Sequence, residues 1–167
     1  MSTDNFGDVP MLEPYQAKYP APFAVLGIRA VGERLTDIEY LPKGVATLPP
    51  LNELAERVCR QIERYLDDPE YEFDLPFEYH GTPFQCRVWR QISGIPAGRT
   101  LTYKDIARRL RTAPRPVGGA CGANRIPIVI PCHRVVGANG LGGFMKAKDG
   151  FPLDIKRWLL KHEGANR

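Results

Sequence analysis

Residues 126–137 read IPIVIPCHRVVG, and the two prolines in this run constrain the chain more than any other feature. Pro127 and Pro131 lack a backbone N–H and hold φ at about −65°, so no regular ladder passes through them. Around them Ile126, Ile128, Val129 and Ile130 form a β-branched apolar stretch, which predicts a short buried strand stopped at Pro131. Cys132 and His133 then stand where that element ends. Thiolate is the reactive form of sulfur and an adjacent imidazole can take the proton, so the pair points to nucleophilic sulfur chemistry. An inert core thiol is nevertheless the commoner meaning of the dipeptide alone. Sequence neighbours in regular structure diverge, so His133 is expected to reach Cys132 through a turn or a bridging water, with Glu163 as the acid orienting its ring.

The 167 residues carry a net charge of +4, with 43% hydrophobic and 25% charged residues, the profile of a globular protein of one domain or two small ones. That small net charge conceals a division. Residues 1–80 hold 7 Lys and Arg against 15 Asp and Glu, whereas residues 81–167 hold 16 against 4. A basic C-terminal half predicts a surface for a polyanion, with ordinary solvated charge as the alternative. The first residues lack an apolar signal segment, and no apolar run is long enough to cross a bilayer, so a cytoplasmic, DNA-associated protein without membrane contact is expected. Cys59, Cys86, Cys121 and Cys132 lie far apart with no C-x-x-C pair, which supports neither a metal site nor a disulfide framework. Neither VGGACG nor GANGLGGF fits a dinucleotide fingerprint, so no cofactor is expected.

Along the chain, residues 1–17 read as an irregular lead-in. PFAVLGIRAV and ERLTDIEYLP give two strands around a hairpin at Gly32 and Glu33. Residues 48–68 give a helix with an apolar stripe of Leu51, Leu54, Val58, Ile62 and Leu66, started by Asn52 or the preceding prolines. A turn-rich acidic and aromatic stretch follows, and a boundary near His80 and Gly81 divides the chain into units 1–80 and 81–167. A helix from about Pro83 to Ile92 opens the second unit. Thr102 with Asp105 three residues on predicts a capped helix to about Leu110, leaving Arg108, Arg109 and Arg111 available for phosphate. RPVGGACGAN then gives a second helix, completing a helix, turn and helix. Its glycines, Gly118, Gly119 and Gly122, each cost about 1 kcal/mol of helix propensity. Either close approach to another surface or tight internal packing can offset that cost. Arg115 at its head suits insertion where a base has left a stack.

Together, IPIVIPCHRVVG, TYKDIARRL, RPVGGACGANRIP and KRWLLKHEG closely resemble the O6-alkylguanine-DNA alkyltransferases, the methylated-DNA–protein-cysteine methyltransferase family. The resemblance is strong over roughly residues 80–164, and earlier residues match only in a strand, strand, helix outline. It implies an α+β (mixed α/β) architecture, with a ribonuclease-H-like N-terminal domain carrying a small antiparallel sheet. The C-terminal domain would be mostly helical, with a helix-turn-helix and the active-site cysteine. It further implies a monomer, with cooperative binding along DNA left open, that acts on double-stranded DNA containing O6-alkylguanine (and O4-alkylthymine). The alkyl group would move irreversibly to Cys132.

By the same resemblance His133 deprotonates Cys132 through a water, Glu163 orients His133, Asn124 braces the turn, and Tyr103 donates to the departing base. Arg115 would be an arginine finger. Residues from Pro116 through Val117, Gly118, Gly119, Cys121, Gly122 and Ala123 would read the groove, with Arg125 beside them. Lys156 would lie near the site, the backbone at Cys132 and Val135 would meet the guanine edge, and Phe144 and Met145 would cap the base pocket. The run GANGLGGFMKAKDG departs from the family pattern, being one residue short and carrying Phe144 where a tyrosine is common. Rival readings are an alkyltransferase-like damage sensor without transfer activity, a helix-turn-helix regulator with a redox-active thiol, and a Cys-His hydrolase. The acceptor thiol Cys132 argues against the first, while multiple turnover would mark the last.

Overall fold

The computed structural model describes residues 14–143 and 150–165. Five strands and five helices are defined within them: β1 Ala17–Pro20, β2 Val25–Val31, β3 Arg34–Leu41, α1 Glu53–Asp67, α2 Pro83–Ser93, β4 Leu101–Thr102, α3 Tyr103–Leu110, α4 Pro114–Gly122, β5 Val135–Val136 and α5 Phe151–His162. The first three strands form an antiparallel sheet in the order β1-β2-β3. The hairpin turns at Gly32, whose φ of 63° suits a residue without Cβ. Strand β1, which begins at Ala17, the last residue of the expected lead-in, and is not predicted from the sequence, pairs with β2 from Ala17 to Pro20. Its sequence AKYP carries a proline and a lysine, which mask a strand signal, and its place on the sheet edge tolerates both.

Helix α1 lies against this sheet. Asn52 caps it by accepting from the Ala55 N–H at 2.8 Å. Its buried face is Ala55, Val58, Gln61, Ile62 and Tyr65, one position away from the apolar stripe at both ends. Leu51 is 59% exposed, and Tyr65, not Leu66, turns fully inward. That difference carries a tyrosine hydroxyl into the interior.

Helix α2 is closed by a capping box between Thr82 and Gln85, and α3 by one between Thr102 and Asp105. Such reciprocal bonds satisfy N–H groups that the first helical turn leaves without partners. Arg111 ends α3 in the left-handed conformation at φ 57°, after which α4 starts on Pro114. α4 packs on both α2 and α3, and the Trp89 indole donates to the Ala120 carbonyl at 2.8 Å. The apolar core runs without interruption from Leu26, Ile28 and Ile38 of the sheet to Val88, Ile106, Val117 and Leu159 of the helices. No helix among the described residues is long and apolar enough to cross a membrane.

Residues 126–130 are not the predicted strand. They form a buried turn in which the Ile130 N–H donates to Ile126 at 2.9 Å and Ile128 is held at φ 75°. A β-branched residue in that region is strained by about 1–3 kcal/mol. The flanking prolines deny the segment its ladder donors, so apolar content here signals burial without extension.

Candidate active site around Cys132

The strained turn delivers Cys132. Pro131, at φ −82° and ψ 66°, forms an inverse γ-turn closed by the Cys132 N–H on the Ile130 carbonyl at 2.8 Å. Cys132–Arg134 then make a single 3-10 turn, after which Val135 and Val136 pair in parallel with Leu101 and Thr102. Proline, short turn and strand thereby hold the thiol at a bend with its backbone fixed on both sides.

Asn124, at the end of α4, ties that bend together from within. Its Nδ2 donates to the Ile130 carbonyl at 2.8 Å and to the Cys132 Sγ at 3.1 Å, while its Oδ1 accepts from the Ile126 N–H at 2.9 Å. An amide hydrogen aimed at sulfur favours the thiolate over the thiol. At rest, however, the Cys132 thiol is pushed well above its ordinary range by the neighbouring Cys121 thiol and by burial, only partly countered by Asn124 and Lys156. Cys132 is 4% exposed, so the proton must be taken by a group already in place.

The next residue, His133, is paired with Glu163. The His133 Nε2 lies 2.8 Å from Glu163 Oε2, with both side chains fully buried. Burial alone would raise the Glu163 carboxyl, but hydrogen bonds from His133 and Arg134 outweigh it and hold it far below the usual range. An ionised carboxylate can only accept, so Nε2 carries the hydrogen and Nδ1 keeps its lone pair. That Nδ1 is buried and has no hydrogen-bond partner among the described residues. Burial lowers the His133 pKa despite Glu163, so the ring is a neutral base at neutral pH.

Two side chains that the sequence did not single out complete the acid. Arg134 binds Glu163 in bidentate fashion, both nitrogens at 2.9 Å, and donates to the Ile95 carbonyl at 2.6 Å. Tyr65 reaches across from α1 and donates its hydroxyl to Glu163 Oε2 at 2.6 Å. Arg134 was legible as the next residue in the CHR run. Tyr65 was not, because only the fold brings it to a residue 98 positions away.

On the other side of the thiol, the Tyr103 hydroxyl donates to the Gly143 carbonyl at 3.0 Å. Lys156 is buried and spends its ammonium hydrogens on the carbonyls of Val135, Leu141 and Gly143 at 2.7–2.8 Å. Burial lowers its pKa to about 8, which leaves it charged at neutral pH and electrostatically coupled to Cys121 and Cys132. The Val135 carbonyl is therefore already engaged, as is the Cys132 carbonyl, which accepts from the Val135 N–H. Phe144 and Met145 lie outside the described residues. Among the described residues no cluster of three His, Cys, Asp or Glu side chains is arranged to hold a metal ion.

Arg115 and Pro116 are exposed at the start of α4, with Arg108, Arg109 and Arg111 exposed just before it. Space is open around Gly118 and Gly119, with nothing within 4 Å of an added Cβ, so internal packing does not explain those two glycines. Gly122, Ala123 and Cys121 are half-buried. Val117 differs from its neighbours: its side chain is fully buried in the core, which removes it from the surface that α4 presents. Arg125 is committed to Asp37 of β3 at 2.9 Å, and its carbonyl accepts from the Ile38 N–H.

A family model described as 6-O-methylguanine DNA methyltransferase, DNA binding domain, matches residues 83–165. The methylated-DNA–protein-cysteine methyltransferase of Candida albicans is 38% identical over 150 residues, covering 85% of this chain and 83% of that protein. The chain belongs to the methylated-DNA–protein-cysteine methyltransferase family. Solved methyltransferase structures share the fold. The Mycobacterium tuberculosis O6-methylguanine methyltransferase superposes with a TM-score of 0.75 at 32% identity, over 88% of this chain and 90% of that one. A structure of the same organism's protein in complex with DNA gives 0.74 at 33% identity, over 89% and 93%. The methyltransferase match therefore embraces the sheet as well as the helical part.

Proposed function

We propose that this chain repairs O6-alkylguanine in duplex DNA by moving the alkyl group irreversibly to Cys132, and that O4-alkylthymine is a further substrate. DNA repair by methyl transfer to a protein cysteine is the activity of its family. The observation that supports Cys132 as the acceptor is a buried Glu163–His133 pair on the residue next to a sulfur that already receives the Asn124 amide.

The chemistry follows from those contacts. His133 Nδ1 takes the Cys132 proton through one water, and the imidazolium is stabilised by ionised Glu163. The thiolate attacks the alkyl carbon; a carbon–sulfur bond forms as the carbon–oxygen bond to guanine breaks, and the electron pair leaves on the purine. The Tyr103 hydroxyl, its pKa raised by burial and the nearby thiols and therefore kept protonated, donates to that purine. The thioether product is not hydrolysed under mild conditions, so each chain acts once. This chemistry calls for no cofactor.

For DNA, α3 and α4 form a helix-turn-helix whose second helix enters the minor groove, with Arg115 filling the place of the extruded base. Open space over Gly118 and Gly119 supports close approach of a duplex backbone. Residues 1–80 form a ribonuclease-H-like unit and residues 81–167 the DNA-binding and acceptor unit, in a monomer of the cytoplasm. The test is stoichiometry: alkyl-labelled duplex added in excess should leave at most one label per chain, and none on Cys132→Ser. Continued turnover in excess duplex contradicts the proposal.

A further inference from the structure

We propose that Tyr65 is a positioning residue of the proton relay: its hydroxyl, delivered by α1 from the sheet side of the molecule, shares the Glu163 carboxylate with His133 and thereby sets how strongly His133 holds a proton. The proposal rests on the reading of His133 as the base for Cys132. It assigns a role in chemistry to the N-terminal part of the chain.

The geometry is specific. Glu163 Oε2 accepts from three donors, the Tyr65 hydroxyl at 2.6 Å, the His133 Nε2 at 2.8 Å and an Arg134 nitrogen at 2.9 Å, while Oε1 accepts from Arg134 at 2.9 Å. Donors on one oxygen compete for its charge, so each weakens the pull the others feel. Tyr65 competes with His133 at the very atom His133 uses.

The tyrosine ring is held independently of its hydroxyl. It is 1% exposed, lies edge-on to His162 at 5.1 Å and tilted on Phe73 at 5.5 Å, and its backbone carbonyl meets the His162 Nε2 at 2.8 Å. Removing the oxygen leaves that packing in place. Burial and the Glu163 charge hold the phenol far above its ordinary range, so it remains a donor throughout the working pH range.

The other charged and titratable groups around the pair come from every adjoining element. Arg134 of the 3-10 turn and Lys156 of α5 oppose protonation of His133 electrostatically. Cys132 lies ahead of it in sequence, with Cys121 of α4 beyond, and Tyr40 of β3 senses both Cys132 and Tyr65. None of these changes in Tyr65→Phe. Loss of the hydroxyl returns negative charge to Oε2, strengthens its bond to His133 and raises the His133 pKa.

The experiment measures single-turnover transfer from an O6-methylguanine duplex against pH, together with the His133 imidazole resonance by NMR, in wild type, Tyr65→Phe and protein carrying 3-fluorotyrosine at position 65. In Tyr65→Phe the acid limb and the imidazole titration should both move up by about half a pH unit, a roughly threefold loss of rate on the acid side, with the plateau retained. The fluorinated phenol is the stronger donor and should move both the other way, which keeps the test open if the phenylalanine variant folds poorly. A limb unmoved in both variants, or a uniform fall in rate at every pH, overturns the role of Tyr65 and leaves transfer to Cys132 intact. A wild-type profile without an acid limb overturns His133 as the base and this inference with it.

Discussion

The amide nitrogen of Asn124 stands 3.1 Å from the sulfur of Cys132 and 2.8 Å from the Ile130 carbonyl, so one side chain both shapes the turn and touches the thiol. Asn124→Ala removes both bonds and the one from Ile126, leaving buried groups without partners at about 1–3 kcal/mol each. A clear fall in unfolding midpoint together with at least a tenfold loss of transfer rate is expected. Asn124→Asp retains the acceptor for Ile126 but turns a carboxylate oxygen toward sulfur, so it should recover stability more than rate. Chemical denaturation and single-turnover kinetics separate the two effects.

His133 and Glu163 give the protein a defined acid weakness. Both have folded pKa values below their unfolded ones, so both contributions are lost as pH falls. The sign is the same but the windows differ. The His133 contribution is complete above about pH 6.5 and the Glu163 contribution above about pH 4.3, their unfolded values. Urea unfolding should show stability falling as pH drops from about 6.5 to 5, and His133→Asn should flatten that interval. An equal slope in the variant contradicts the assignment of the buried neutral ring.

Lys156 anchors Val135, Leu141 and Gly143 through one ammonium group. Lys156→Met keeps the apolar stem and abolishes all three bonds, releasing the segment to which Tyr103 also donates. Faster amide exchange at residues 141–143 and slower transfer are expected, with DNA binding through α4 little changed. Unaltered exchange there shows that the lysine is dispensable for the segment.

How far the sequence revealed this arrangement depended on whether each signal was local. Thr102 with Asp105 and Asn52 before Ala55 are contacts three residues apart, and both caps form. The hairpin at Gly32 was equally local. Residues 126–130 misled because β-branched content reports burial, whereas Pro127, Pro131 and the Asn124 side chain decide the backbone path. Tyr65 carries no signal of its own, because an apolar stripe through Leu66 satisfies the helical period equally well. The choice between them was made by Glu163, which no pattern within α1 contains.

The open glycine face of α4 makes a prediction in two opposite directions. Gly119→Ala adds a Cβ with nothing within 4 Å, so helix propensity should raise stability by up to about 1 kcal/mol. If that face meets the DNA backbone, the same methyl group should weaken duplex binding, and binding by the wild type should fall steeply with added salt. A stabilised variant with unchanged affinity places the duplex elsewhere.

The most direct measurement is peptide mapping by mass after one exposure to O6-methylguanine duplex. Cleavage after Arg125 and Arg134 isolates Cys132 on residues 126–134, apart from Cys121. One added methyl group on residues 126–134, in an amount equal to the guanine restored, is the predicted result. Restored guanine with that peptide unmodified, or with the methyl group on Cys121, contradicts Cys132 as the acceptor.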